Sequence, residues 1–219
     1  MRAQLTFSLE KDQIKRIKEE MIKIQDYKTY LYPWNKLDND LKRKGINEFS
    51  FIGYGSILNA ESALMTFSEM PHSTYKPVIA FGLKRIFNYE MPKNVNRYDV
   101  PVNRTYRAAL NVKITNNIND VINGILVKIS TDSISDFRTR EIGYDLYPVV
   151  CIDWTNKRKP PFITYILVCP NETRGGYLRI NNEIMPHIHY YKKKKKGAKE
   201  QGNDFLNFWL NSTFLADEK

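Results

Sequence analysis

The sequence predicts an α+β domain, on three observations. Six apolar runs rich in β-branched and aromatic residues, at 49–53, 78–89, 106–114, 121–130, 147–154 and 162–169, read as strands. Helical periodicity is confined to 9–31, 59–68, 132–140 and 187–211, so strands are interleaved with few helices. Hydrophobic residues make up 42% of the 219-residue chain and aromatics 13%, enough for one full core and against disorder.

Over 9–31, Ile14, Ile17, Met21 and Ile24 fall on one stripe while Lys and Glu fill the other side, with Ser8 as the expected N-cap. The stripe is too short for the heptads of a coiled coil, so an amphipathic helix laid over the core is expected. Tyr30-Leu31-Tyr32-Pro33-Trp34 ends it, and Asp38 to Lys44 forms another turn or two. Residues 1–47 are read as a helical extension packed on a domain of residues 48–219. Asn59 is the expected N-cap of the helix after the first strand. Asn94 to Arg104, with Pro92 before it and Pro101 within it, reads as a long loop. Asn116-Asn117-Ile118-Asn119-Asp120 reads as a hairpin turn. One helix is expected over 187–211, anchored by Phe205, Leu206, Phe208 and Trp209. There is no internal repeat.

Composition excludes several classes. No apolar run approaches the roughly eighteen residues of a membrane span, and Met1 to Leu9 lacks the apolar core of a secretory signal. Cys151 and Cys169 make no disulfide framework, so a reduced, cytoplasmic chain is expected. The formal net charge of +10 suggests an anionic partner such as nucleic acid. Against that, Lys, Asn, Ile and Tyr are abundant throughout, a bias that an AT-rich genome produces without any partner. The run Lys192 to Lys196 reads as a solvated face, because no nucleic-acid-binding motif accompanies it, with most of these lysines exposed and at most one near the rim of a pocket.

The most informative local feature is Phe49-Ser50-Phe51-Ile52-Gly53-Tyr54-Gly55-Ser56-Ile57-Leu58. An apolar strand turns through glycines into a helix, which presents backbone N–H groups to an anion or a developing oxyanion. A side chain at Gly55 would keep a ligand away from that backbone. A dinucleotide fingerprint needs glycine where Leu58 stands, and a nucleophile elbow needs glycine at the same position. A tight turn without a ligand is the remaining alternative.

A second segment lies about ninety residues on. After the strand containing Gly124-Ile125-Leu126 comes Asp136-Phe137-Arg138-Thr139-Arg140-Glu141-Ile142-Gly143-Tyr144-Asp145-Leu146-Tyr147, leading into a return strand. Near the C-terminus stand Pro186, Tyr190 and Gly197-Ala198-Lys199-Glu200-Gln201-Gly202. In these three features, in this order, the chain resembles the gamma-glutamylcyclotransferase-like family. That family carries a Tyr-Gly-Ser-Asn-Leu loop, an acidic residue shortly before a tyrosine, and a Pro…Tyr…Gly-Ala-Lys-Glu ending. The resemblance spans about residues 48–215 and implies a small mixed β-barrel flanked by helices. Ile57 stands where the family has asparagine, the first 45 or so residues have no counterpart, and the lysine-rich stretch before Gly197 is unusual.

The resemblance also implies chemistry. In the family reaction the free α-amine of a γ-glutamyl group attacks its own γ-carbonyl, and 5-oxoproline and an amine or amino acid leave. Glu141 is the implied general acid/base, which requires partial burial, with Arg138 and Arg140 expected to point away from it. Without the family pattern, a surface salt bridge would be the ordinary role of Glu141. Tyr54, Gly55, Ser56, Ile57, Leu58, Tyr144 and Tyr190 are the implied substrate contacts, with packing as the alternative role of the tyrosines. No cofactor and no metal are implied. His187 and His189 are a candidate ligand pair without acidic or Cys partners at metal spacing, and His72 stands in no motif. The expected partner is therefore a small γ-glutamyl molecule. The leaving group, an amino acid, a dipeptide as in glutathione, or an amine, is not fixed. A non-catalytic protein of the same fold is the alternative, with a basic nucleic-acid-binding protein behind it.

Overall fold

Several of the strand-like runs lack the polar alternation of a half-exposed strand, so both of their faces need cover. The computed structural model describes residues 9–24, 34–64, 75–91, 105–141, 143–170, 173–174 and 177–216. Its elements run α1 (Lys11–Lys23), α2 (Trp34–Arg43), β1 (Glu48–Gly53), α3 (Ala60–Leu64), β2 (Lys76–Phe81), β3 (Leu83–Glu90), β4 (Tyr106–Ile114), β5 (Val121–Ser130) and α4 (Ile134–Arg140). They continue with β6 (Asp145–Asp153), β7 (Phe162–Val168), β8 (Thr173–Arg174), β9 (Tyr177–Leu178), β10 (Met185–Pro186), α5 (Ile188–Glu200), α6 (Asn203–Asn211) and β11 (Thr213–Leu215).

The strands β1-β5-β2-β6-β7 form a closed barrel, and β10-β4-β3-β11 form a second sheet. The barrel closes through a parallel contact of β1 with β7, pairing Phe51 with Tyr165 and Ile52 with Ile166. Its other ladders are antiparallel. This is the mixed barrel flanked by helices that the sequence implied.

The period of two explains the continuous apolar runs. On β2 and β6, Val78, Ala80, Val149 and Cys151 join the main core. The alternating residues Ile79, Phe81, Val150 and Ile152 face outward and are covered by Ile17, Met21 and Ile24 of the α1 segment. Ile14 is only half-buried, and Gln13 takes the buried place instead. Its amide donates to the Lys159 carbonyl at 2.8 Å. The α1 helix ends at Lys23; Ser8 and residues 25–33 lie outside the described residues, as does the expected loop Asn94 to Arg104. The second helix starts earlier than expected and buries Leu37 and Leu41 in the main core.

Three expectations are corrected. The run 78–89 is two strands, because Gly82 at φ +77° turns the chain from the barrel into the second sheet. The segment 115–120 is no hairpin turn: β4 belongs to the second sheet and β5 to the barrel. Both crossings meet at one corner, where Gly82 N–H donates to Asp120 O at 2.8 Å and Thr115 N–H donates to Gly82 O at 2.8 Å. The expected helix 187–211 is two helices, broken at Gly202, whose φ of +109° no side-chain-bearing residue adopts cheaply.

Arg85 fastens the two sheets. It is buried on β3 and donates to the main-chain oxygen of Asn123, to Asn123 Oδ1 at 3.0 Å and to Thr213 Oγ1 at 3.1 Å. Asn123 in turn donates to Phe205 O at 2.8 Å. Barrel, second sheet and C-terminal helix are thereby joined through hydrogen-bonded polar groups inside the core. No helix among the described residues is long and apolar enough to cross a membrane.

Candidate active site

The strand β1 ends at Gly53, and the chain turns through Tyr54 and Gly55 into a single 3₁₀ turn at Ser56–Leu58. Leu58 N–H donates to Gly55 O at 3.1 Å and Asn59 N–H to Ser56 O at 3.4 Å. Asn59 then caps α3 as expected, accepting from Ser62 N–H at 3.1 Å. The N–H groups of Gly55 and Ser56 find no acceptor among the described residues. Such groups at a turn are donors for an anionic ligand.

This turn forms one wall of a cleft lined also by Glu141, Tyr144, Leu110, Leu167 and Tyr190. Tyr54, Gly55, Ser56 and Ile57 stand on that wall, so seven of the eight residues singled out from the sequence come together. Leu58 does not; it is buried in the main core behind the turn. The cleft is narrow, with a free volume of about 30 Å³. That is room for about two waters, less than a glutamyl group occupies. A larger groove of about 360 Å³, lined by Asp38, Lys42, Asp132 and Arg138 among others, lies between α2 and α4 and holds none of these residues.

Main-chain atoms hold the tyrosines. Tyr54 Oη donates to Leu167 O at 2.8 Å and Tyr144 Oη donates to Leu110 O at 2.9 Å. Leu110 N–H donates to Tyr190 Oη at 3.2 Å, so one residue of β4 fixes two walls. Burial, then Tyr190, Glu141 and Cys169, push the Tyr54 hydroxyl well above its ordinary range, with Arg85 acting against them. Burial, then Tyr54, Tyr190, Tyr89 and Glu141, do the same to Tyr144. Both hydroxyls stay protonated and are committed as donors to carbonyls. The rings, not the hydroxyl protons, are what these two offer to a ligand. The Tyr144 ring is itself stacked on Tyr89, with centroids 4.7 Å apart.

Glu141 follows the last residue of α4 and is held at the helix end by its N–H, which donates to Phe137 O at 3.0 Å. Phe137 anchors that helix to the barrel by stacking on Phe51 at 4.1 Å. Residues three apart share a helix face, so Arg140 follows Phe137 inward while Arg138 is exposed. The expectation that both arginines point away therefore holds for Arg138 and fails for Arg140. Arg140 Nε pairs with Glu141 Oε1 at 2.8 Å, and each side chain is 11% exposed. Its other nitrogens reach Ser62 O at 2.8 Å and Ser56 Oγ at 3.0 Å. The spacing from Phe137 was the available signal for this. Leu110 carried none, because it acts through its main chain.

The C-terminal motif packs behind the turn. Asn59 Nδ2 donates to Glu200 Oε1 at 3.1 Å. Lys192, Lys195 and Lys196 are exposed, as expected for most of the lysine run, and Lys194 alone of the five is buried.

No protein-family model matches the sequence, and no curated protein matches it. Solved structures do. One described as a gamma-glutamyl cyclotransferase is 14% identical with a TM-score of 0.54, the match covering 74% of this chain and 86% of that one. An uncharacterized protein from Homo sapiens is 14% identical with a TM-score of 0.54, over 75% and 87% of the two chains. YkqA from Bacillus subtilis is 14% identical with a TM-score of 0.52; the match covers 78% of this chain and 55% of YkqA, so this chain spans about half its length. With a closed mixed barrel and flanking helices in common, the fold of this chain is that of gamma-glutamyl cyclotransferase.

Proposed function

We propose that this protein is a cyclotransferase-type enzyme that releases 5-oxoproline from a small γ-glutamyl compound, with Glu141 as general acid/base. The observation that carries the reading is that Glu141 and the Gly55–Ser56 turn line the same cleft. In this reading the substrate's α-nitrogen forms a bond to its γ-carbon, the carbonyl electron pair moves onto oxygen, and Glu141 takes the proton leaving the nitrogen. When the bond to the leaving nitrogen breaks, Glu141 returns that proton to it. An adjacent guanidinium favours the charged form of a carboxyl, the form that accepts a proton. The Gly55 and Ser56 N–H groups receive the oxyanion or the substrate's α-carboxylate, and one such donor is typically worth about 3–4 kcal/mol. Tyr54, Tyr144, Ile57 and Tyr190 shape the space for the glutamyl chain. Residues 48–219 form the catalytic domain and residues 1–47 an extension, none of whose described residues lines the cleft.

The small free volume favours a second reading, a non-catalytic protein of the same fold. The test is to incubate the protein with γ-glutamyl amino acids, glutathione and γ-glutamyl amines and assay for 5-oxoproline. Release from at least one is expected. Saturable binding of these compounds without release would establish the second reading instead.

A further inference from the structure

We infer that Arg140 is a positioning residue that sets the polarity of the cleft, holding Glu141 as an acceptor and Ser56 as a donor. What those two groups then do to a substrate rests on the cyclotransferase reading; the clamp itself does not.

A guanidinium is a planar fork of five fixed donors. Here Nε reaches Glu141 Oε1 at 2.8 Å, one terminal nitrogen reaches Ser62 O at 2.8 Å, and the other reaches Ser56 Oγ at 3.0 Å. Glu141 and Ser56 line the cleft and Arg140 does not, so the fork stands behind both. Its donors are directed at the protein, which rules against a grip on the substrate's own carboxylate. The bond to Ser56 has a directional consequence. Ser56 Oγ accepts from Arg140, and its own proton has no acceptor among the described residues. The hydroxyl is therefore a donor for a ligand oxygen, beside the N–H groups of Gly55 and Ser56. Glu141, held by the same fork, is a carboxylate, which only accepts. A γ-glutamyl group fits this polarity one way round, with its amine toward Glu141 and its carboxylate or developing oxyanion toward Ser56. Reversed, it sets carboxylate against carboxylate.

The groups that face Glu141 from other elements are Tyr54 after β1, Tyr89 on β3, Tyr144 before β6 and Tyr190 on α5. None of these four carries a positive charge, whereas Arg140 is in direct contact with Glu141 at 2.8 Å.

The experiment follows the Glu141 carboxyl carbon by NMR through a pH titration of ¹³C-glutamate-labelled protein, assigned by its loss in Glu141→Gln. In Arg140→Gln the midpoint is expected to rise by about one unit or more, since the neighbouring positive charge is gone. The acidic limb of kcat/KM should move up with it, and kcat should fall about tenfold. In Arg140→Lys the charge is kept but the three-way fork is lost, so the midpoint should return toward wild type while kcat stays low. An unmoved midpoint in folded Arg140→Gln, or full kcat in Arg140→Lys, overturns the clamp. Should Arg140→Gln not fold, the wild type decides: the Arg140 Nε–H resonance must move with the Glu141 titration, and one that ignores it overturns the proposal. A midpoint that moves as expected in a protein that releases no 5-oxoproline from any γ-glutamyl compound upholds the clamp and removes the cyclotransferase reading.

Discussion

The ammonium of Lys194 lies 4.5 Å from the centre of the Tyr190 ring. The two residues are one helical turn apart on α5, and Tyr190 faces the cleft. Lys194 is 1% exposed, so its methylene stem packs and its charge stands over the ring in a desolvated place. A cation–π contact of this kind contributes up to about 2 kcal/mol.

Lys194→Ala is accordingly expected to lose about 2–3 kcal/mol, from the buried stem and the ring contact together. For a chain of this size that lowers the melting temperature by roughly 4–12 °C. Changing Lys192, Lys195 and Lys196 to Gln should leave it nearly unchanged, because they are exposed. Thermal melts of the two variants side by side check this. Equal stability of both would show that the Lys194 contact carries no weight.

Glu141→Gln should keep the fold, because the amide oxygen can still accept from Arg140 Nε. It cannot take the amine proton, so 5-oxoproline release is expected to fall by about a hundredfold or more with little change in melting temperature. Near-full turnover in the variant would assign the base to another residue.

Gly197→Ala reverses the usual sign of a helical substitution. Alanine gains about 1 kcal/mol over glycine in a helix interior. Here its Cβ would lie 2.7 Å from Asn59 N and 2.9 Å from Leu58 C, both main-chain atoms that cannot swing aside. Overpacking of this kind costs about 1–3 kcal/mol or more. A net fall in stability is predicted, together with weaker binding of γ-glutamyl compounds as the turn carrying Ser56 is pushed away. A stabilised variant in a melting experiment would mean that α5 is not seated on the turn.

Asp153 gives a prediction about pH. Burial pushes its carboxyl up, but the pair with Lys159 at 2.7 Å and the hydrogen bonds from Asn156 and Thr155 outweigh it and hold the group well below the usual carboxylate range. A depressed folded value means stability that is present above the unfolded value near 3.9 and lost as pH falls toward the folded one. Asp153→Asn should therefore melt about 2–4 °C below the wild type at pH 7. The gap should hold down to about pH 5 and narrow below pH 4. A gap independent of pH would show that the turn, and not the charge, is responsible.

What was legible in the sequence was local. The Gly-Tyr-Gly-Ser turn, the strands 106–114 and 121–130 and the Asn59 cap are written in neighbouring residues, and the structure has them at those places. The run 78–89 looked like one strand because both sides of Gly82 are apolar, and a φ of +77° leaves no other mark. The false hairpin at 116–120 came from the same cause: turn residues show that the chain bends, not which sheet it enters next. Arg140 was misplaced because charge ordinarily implies solvent, and it is drawn inward by Ser56, a partner distant in sequence. That one lysine of the run could turn toward the cleft was legible, but not that it is Lys194, which the Tyr190 ring one turn away holds.

The corner at Gly82 and the late arrival of α5 have a consequence for how the protein is made. The strands β1 to β7 leave the ribosome before Tyr190, Lys194 and Gly197 exist. Until α5 settles on the turn at Ser56, the cleft lacks its Tyr190 wall and the main-chain atoms of Leu58 and Asn59 lack the helix that covers them. The strand β11 then joins β3 beside Arg85, more than a hundred residues upstream. The cleft is thus completed only by elements that follow the barrel in the chain, and a nascent chain halted after β7 holds Glu141 without its Tyr190 wall.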